Sequence, residues 1–135
     1  MSDTLVVLGS ISKSGSGTTT QSASKIVDLY GKKVAYGYVS ESHGGYTHGN
    51  GKAGGSITIT FSDNTTTTLV SKSDEGNTPR SSSSSGYVTA EQQSKGIVSA
   101  TLIAYGGGTN DWDHGGGYGT GSAMLYGYES NWVTE

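Results

Sequence analysis

The sequence contains an internal repeat, and this feature constrains the fold more than any other. Several short words of the first half return in the same order about 70 residues later. The matched words are Ser24-Lys25-Ile26-Val27 with Ser94-Lys95 and Ile97-Val98, Ala35-Tyr36-Gly37 with Ala104-Tyr105-Gly106, and His43-Gly44-Gly45 with His114-Gly115-Gly116. A repeat of this kind indicates two copies of one supersecondary unit that pack on each other. We expect a single domain over residues 1–135, with unit 1 at about 1–66 and unit 2 at about 67–135.

The pattern within each unit predicts short strands. Residues 56–61 alternate strictly and place Ile57, Ile59 and Phe61 on one face, as a half-buried strand requires. Gly31 and the Asp63-Asn64 pair suit tight turns between strands. Further strands are expected at 4–11, 25–30, 33–40, 66–72, 97–105 and 122–129, and one or two helical turns at 89–95. The fold class is therefore all-β, a single antiparallel β-barrel or sandwich.

Two segments rich in small polar residues are predicted to be loose loops. Residues 71–85 contain the only proline and five consecutive serines, and they offer no apolar face to bury. Residues 12–22 have a similar composition. We expect the first segment to link the two units and to be mobile.

Composition excludes several function classes. The chain has no cysteine, so disulfides, thiolate metal sites and cysteine nucleophiles are ruled out. Its net charge of −3, without a basic stripe, gives no footprint for nucleic acid. The first residues lack a basic region and a long apolar run, so neither a signal peptide nor a transmembrane segment is expected. The expected location is the cytoplasm at synthesis, and release without a signal peptide is left open.

Two glycine-rich loops contain all three histidines and are the candidate binding sites. Glycines let a backbone approach a ligand closely, aromatic rings offer flat apolar faces, and His, Asn or Asp side chains supply directed hydrogen bonds. These are the groups that recognise a sugar. The expected ligand-binding residues are His43, Tyr46, His48 and Asn50 in the first loop, and Asn110, Asp111, Trp112, Asp113, His114 and Tyr118 in the second.

The remaining aromatic residues are expected to pack. Trp132 is predicted to close the core, whereas Trp112, flanked by two aspartates, is the strongest single candidate for stacking on a sugar. The tyrosines expected to serve packing are Tyr30, Tyr36, Tyr38, Tyr105, Tyr126 and Tyr128.

Catalysis and cofactors have little support in the sequence. Asp111, Asp113 and His114 could supply an acid and a base, but the matching positions of the first loop carry Glu41 and Ser42. The loop carboxylates lack the spacing and bidentate Glu of an EF-hand. We therefore predict no enzyme activity, no metal and no cofactor, with calcium left open.

The segment from Ile103 to Leu125 resembles the middle segment of jacalin-related lectins, since it runs strand, Tyr-Gly-Gly, His-Gly-Gly-Gly-Tyr-Gly, strand. This resemblance implies a β-prism fold, the alternative fold, and sugar binding at loop ends. It implies no site residues, because the family's Gly-x-x-x-Asp loop is absent from residues 129–135.

The sequence therefore predicts a lectin-like protein that binds glycans or glycoproteins, with one site in each repeat. A toxin component that binds membranes or glycans through a β-rich domain is one alternative. A structural or phage-adhesin module is another. Assembly into a homo-oligomer is left open.

Overall fold

The computed structural model describes residues 3–109 and 115–130, and eight strands account for most of them. In chain order the elements are β1 (Asp3–Gly17), β2 (Thr20–Asp28), β3 (Lys33–Gly45), β4 (Gly51–Phe61), β5 (Thr66–Gly76), β6 (Arg80–Tyr87), α1 (Ala90–Lys95), β7 (Ile97–Gly108) and β8 (Gly117–Ser130). The predicted all-β class is confirmed.

The strands form two four-stranded antiparallel sheets. Sheet 1 has the order β1-β8-β3-β6 and sheet 2 the order β2-β7-β4-β5. The first strand pairs with the eighth, the second with the seventh, the third with the sixth and the fourth with the fifth. This is the jelly-roll type of sandwich. The sandwich alternative is therefore confirmed, whereas the closed barrel and the three-sheet β-prism are wrong for the described residues.

The topology is compatible with the predicted repeat. If each strand number of sheet 1 is increased by four, counting on from β8 to β1, the order β1-β8-β3-β6 becomes β5-β4-β7-β2. This is the order of sheet 2 read backwards. A jelly roll has this exchange whatever its sequence, so the duplication and its unit boundaries stay predictions.

The apolar core lies between the inner faces of the two sheets. Strict alternation along β4 places Ile57, Ile59 and Phe61 inside, as predicted. Val39 and Leu125 meet them from sheet 1, and Leu29 closes the core at the turn before β3. The turns at Gly31 and Asn64 also form as predicted, each with a positive φ.

At the other end of the sandwich the sheets meet backbone to backbone. A Cβ atom on Gly106 would overlap the carbonyl of Gly119, and one on Gly121 would overlap the carbonyl of Gly54. Only glycine permits such close approach. This contact explains why the chain needs so many glycines within its strands.

The two predicted loose loops are wrong. Residues 80–87, with the serine run, form β6 and pair with β3 from Tyr36↔Tyr87 to His43↔Arg80. Residues 12–17 likewise extend β1 against β8. Serine has no apolar face to bury, but its backbone can still complete a ladder at the edge of a sheet.

Candidate functional site

The outer face of sheet 1 carries aromatic residues at both ends and hydroxyl groups between them. Along β8 the outward side chains are Tyr118, Thr120, Ser122, Met124, Tyr126 and Tyr128, since the residues between them are buried. Five steps of two residues along a strand cover about 33 Å at about 3.3 Å per residue. The face is therefore long enough for an extended ligand.

Tyr36, Tyr87, Tyr126 and Tyr128 form the first aromatic group, the tyrosine cluster. The ring of Tyr36 stacks on that of Tyr126, with centroids 4.7 Å apart and planes 19° apart. The ring of Tyr87 lies 5.1 Å from Tyr36 at a tilt of 33° and is 70% exposed. The ammonium of Lys33 lies 5.4 Å from the centroid of the Tyr128 ring. The cluster thus presents one continuous aromatic surface to solvent.

Packing within the tyrosine cluster changes its electrostatics. Desolvation, followed by repulsion from Tyr126, Tyr87 and Tyr128, raises the pKa of Tyr36 above its ordinary value. The phenol of Tyr36 therefore stays neutral over the physiological range, and its hydroxyl group can both donate and accept hydrogen bonds.

A cleft of about 630 Å³ lies between the tyrosine cluster and α1. This volume is in the range of small-molecule sites. Its polar wall comes from Thr89, Gln93 and Ser94. Thr89 also caps the helix, because its hydroxyl accepts from the Gln92 amide while the Gln92 side chain accepts from the Thr89 amide. The capping box fixes this wall against the rings.

The middle of the face is a band of hydroxyl groups. Ser40 and Ser122 join their hydroxyls at 2.7 Å across β3 and β8, and Ser14 and Thr120 do so at 2.8 Å across β1 and β8. A shallow depression of about 390 Å³ runs over this band. Each hydroxyl still has capacity for a further hydrogen bond to a ligand.

Tyr118 and Tyr46 form the second aromatic group, at the end where both predicted loops lie. Their ring centroids are 5.4 Å apart, and the rings are 45% and 37% exposed for Tyr46 and Tyr118 respectively. The amide of Tyr46 donates to the Gly116 carbonyl, and that of Thr109 to the Asn50 carbonyl. The two loops therefore meet at one end of the sandwich, and their described tyrosines make one aromatic pair.

The other predicted site residues have different placements. His48 is exposed in the turn after β3, and Asn50 is partly buried just before β4. The predicted residues of the second loop lie outside the described residues, namely Asn110, Asp111, Trp112, Asp113 and His114. Trp132, the predicted core tryptophan, also lies outside them.

His43 does not lie on the surface. It is 1% exposed, points between the sheets, and its Nδ1 is 2.6 Å from Oε1 of buried Glu41. The Ser82 hydroxyl donates to the other oxygen of Glu41. A sugar on the outer face cannot contact His43, because β3 carries its odd-numbered residues here to the interior.

The pairing of Glu41 with His43 is the usual arrangement of a catalytic base and its orienting acid. Among the described residues, however, no hydroxyl lies within hydrogen-bonding distance of His43 Nε2. A nucleophile for this base is therefore missing from the described part of the chain.

Sequence reasoning missed the tyrosine cluster. None of the six tyrosines expected to pack is buried, and Tyr36, Tyr126 and Tyr128 face outward on sheet 1. The signal for it was the local alternation of β8. From Gly121 to Tyr128 the side chains point outward at every even position and inward at every odd one. What the sequence could not show is which strands become neighbours.

Membrane crossing by a helix has no support in the described ranges. The helix there, α1, spans Ala90–Lys95, and no helix of these ranges is long and apolar enough to cross a bilayer.

Comparison with known proteins gives structural likeness at low identity. No protein-family model matches the chain, and no curated protein matches its sequence. A chain of infectious bursal disease virus strain Gx is similar over 97% of this chain and 33% of its own length, with 13% identity and a TM-score of 0.46. This chain thus spans about a third of that viral chain.

Two further structures are similar at lower scores. The enzymatically active domain of bacteriophage CBA120 tailspike protein 4 matches 94% of this chain and 19% of its own, with 14% identity and a TM-score of 0.40. A structure described as "CBM4 structure and function" matches 78% of this chain and 73% of its own, with 9% identity and a TM-score of 0.30. At these values none of the three bears on what this chain binds.

Proposed function

We infer that this protein binds carbohydrate and that the ligand is an extended glycan lying along the outer face of sheet 1. The observation that carries this inference is the tyrosine cluster, in which Tyr36, Tyr87 and Tyr126 present one aromatic surface beside a cleft. Sugar rings have an apolar C–H face that stacks on aromatic rings, and an exposed surface of this kind in a soluble domain marks an interaction site.

The rest of the face supports the same ligand class. The hydroxyl band lies between the tyrosine cluster and Tyr118, so hydrogen-bonding groups follow the stacking surface along β8. A glycan needs both kinds of contact, because its ring faces are apolar and its edges carry hydroxyl groups. A purely apolar partner would leave the hydroxyl groups of the band with only their bonds to one another in place of their bonds to water, which is costly where water is excluded.

The location differs from the two separate loop sites predicted from the sequence. Tyr46 and Tyr118 remain part of the proposal, as the second stacking point at the loop end of the face. A glycan long enough to reach both aromatic groups gains from two linked contacts, each of them weak. Trp112 and the neighbouring loop residues stay predictions, and Trp112→Ala is expected to weaken binding without unfolding the protein.

Glycan-array binding followed by titration of the best oligosaccharide tests the proposal. Tyr87→Ala is the sharpest variant, because this ring is 70% exposed and its removal should leave the core intact. We expect affinity to fall at least about fivefold, since one stacked ring contributes on the order of 1 kcal/mol. Tyr105→Ala is the matched control, since Tyr105 is a partly exposed tyrosine that faces outward on sheet 2, on the other sheet from the proposed site.

Two outcomes would contradict the proposal. Absence of binding on an array that includes polysaccharides would reject the glycan as ligand. Equal losses in Tyr87→Ala and Tyr105→Ala would reject the outer face of sheet 1 as its site. Dye release from liposomes would instead support the toxin alternative, and large assemblies in light scattering would support the structural alternative.

A further inference from the structure

The interior of the sandwich contains a polar cluster that glycan binding does not use. Glu41 and His43 follow Val39 on the inner face of β3, and both side chains are fully buried. Both oxygens of Glu41 are engaged, one by His43 Nδ1 and the other by the Ser82 hydroxyl. A carboxylate that accepts from Nδ1 holds the proton there, so the neutral ring directs the lone pair of Nε2 away from Glu41.

His43 Nε2 has no hydrogen-bond partner among the described residues, although it is buried. It points to the gap between β3 and β5, where the nearest charged atom is Oδ2 of Asp74 at 3.9 Å. Gly76, on the same side of β5, leaves space beside the ring, because a Cβ there would be 3.7 Å from Nε2. A buried nitrogen without a partner destabilises the folded state, so a native structure that retains one calls for an explanation.

The distance between His43 Nε2 and Asp74 Oδ2 is informative. At 3.9 Å they are too far apart for a hydrogen bond. Two ligand atoms that share Zn²⁺ each lie about 2.0–2.2 Å from it, so their separation cannot exceed about 4.4 Å and is about 3.4 Å in the tetrahedral arrangement that Zn²⁺ prefers. Asp74 Oδ2 can move closer to Nε2, because the Asp74 side chain is 41% exposed and the Glu75 amide donates to Oδ1 rather than to Oδ2.

We propose that His43 Nε2 and the Asp74 carboxylate bind a divalent transition-metal ion of the Zn²⁺ class, with Glu41 orienting the imidazole. The ligand atoms of the three side chains lie within 4.8 Å of one another. An imidazole ligand favours Zn²⁺, Ni²⁺ or Cu²⁺ over Ca²⁺ and Mg²⁺, which prefer oxygen. A carboxylate that accepts the second ring N–H is the usual support for a metal-bound histidine.

The site would join the two sheets on the side where β6 and β5 are the edge strands. His43 and Glu41 belong to β3 of sheet 1, while Asp74 belongs to β5, the edge strand of sheet 2. An ion here links strands that share no ladder, and its binding energy adds to the stability of the folded state. Water or a further ligand would reach the ion past Asp74, whose side chain is 41% exposed.

A proton is the competing occupant. Protonated His43 could donate to Asp74 from Nε2 while Nδ1 donates to Glu41. The charged or titratable groups around the His43 ring are Glu41 on β3 and Asp74 on β5. Arg80 on β6 is the backbone partner of His43. Such a bridge needs no metal, so titration with the metal alone separates the two cases.

The experiment uses the full chain after treatment with EDTA and dialysis, titrated with ZnCl₂ at pH 7.5 by calorimetry. Asp74→Asn removes one ligand at a partly exposed position, and we expect Zn²⁺ affinity to fall at least about tenfold. Glu75→Gln is the matched control, since it removes the neighbouring charge from an exposed side chain on the opposite face of β5. Unfolding of either variant would be visible by circular dichroism.

The chain has three histidines, so the assignment must be specific to His43. Imidazole ¹⁵N spectra of the parent chain should show a Zn²⁺-dependent shift of Nε2, but not Nδ1, in the ring assigned to His43. The same shift should persist when His48→Gln and His114→Gln are combined. The proposal is overturned if the His43 ring does not respond to Zn²⁺, or if Asp74→Asn and Glu75→Gln bind Zn²⁺ equally well.

Discussion

The phenol ring of Tyr118 covers the backbone of Gly44 on the neighbouring strand. The two residues are direct partners in the β3–β8 ladder, and a Cβ atom on Gly44 would lie 2.5 Å from Cζ of the ring. Sheet 2 repeats the arrangement, with the ring of Tyr105 over Gly54. A ring that covers a glycine protects the backbone there and fixes its own orientation.

Gly44→Ala should therefore displace Tyr118. We expect the free energy of unfolding to fall by about 1–3 kcal/mol, the usual cost of forcing an extra carbon into a packed contact. Chemical denaturation measures this change, and quenching of tyrosine fluorescence reports the freed ring. Gly76→Ala, measured in EDTA to keep the proposed Zn²⁺ site empty, is the control, since a Cβ there meets its nearest atom, His43 Nε2, at 3.7 Å, an ordinary contact. Equal stability of the two variants would show that Tyr118 adapts without cost.

The cap of α1 should contribute measurably to stability and to the cleft. Thr89→Ala removes the hydroxyl that accepts from the Gln92 amide at 3.1 Å. We expect a loss of about 1 kcal/mol in urea unfolding. Thr89→Ser keeps the hydroxyl and should stay close to the parent. If the alanine variant also matches the parent, the capping box does not hold this wall of the cleft.

Local features were the ones that could be predicted from the sequence. The helix at 90–95, the turns at Gly31 and Asn64, and the alternation of β4 depend on neighbours within a few residues. The serine strand β6 could not be predicted this way, because it forms only through its ladder with β3, more than 35 residues earlier in the chain. Pairing between distant segments decides such strands, and composition alone argued for a loop.

Only part of the candidate site could be predicted from the sequence, for the same reason. Tyr36, Tyr87 and Tyr126 come from three different strands, so the tyrosine cluster exists only once β6, β3 and β8 lie side by side. The inward orientation of Glu41 and His43 was easier to predict from the sequence. Glu41 and His43 share the parity of buried Val39, and period-two alternation places all three on the inner face.

The tyrosine cluster should respond to alkaline pH. Desolvation first, then repulsion from neighbouring phenols, raises the pKa of Tyr36 in the folded state above its value in the unfolded chain, about 10. The folded state then holds this proton more tightly, so its contribution to stability is complete below pH 10 and is lost as pH rises through the folded pKa.

Denaturation at a series of pH values from 8 to 11 measures this loss. Tyr36→Phe removes the ionisable group and keeps the ring, so its stability should decline less steeply above pH 10 than that of the parent. The difference in absorbance at 295 nm between the parent and Tyr36→Phe should show the phenol of Tyr36 ionising above pH 10. Identical pH dependence in both proteins would argue that the phenol of Tyr36 titrates like a free one.

Replacing one member of the buried pair should cost more than replacing both. Glu41→Met leaves His43 Nδ1 buried without its 2.6 Å partner, and His43→Leu leaves a buried carboxylate held only by Ser82. Each single change should lower the free energy of unfolding by about 3–5 kcal/mol, the range for breaking a buried pair. Two apolar side chains of similar volume need no partners and extend the core beyond Val39, so the double variant should recover most of the loss.

A double-mutant cycle in urea measures the coupling. Additive losses would mean that the two side chains stabilise the fold independently, whereas recovered stability without Zn²⁺ binding would assign the pair to the metal rather than to the core.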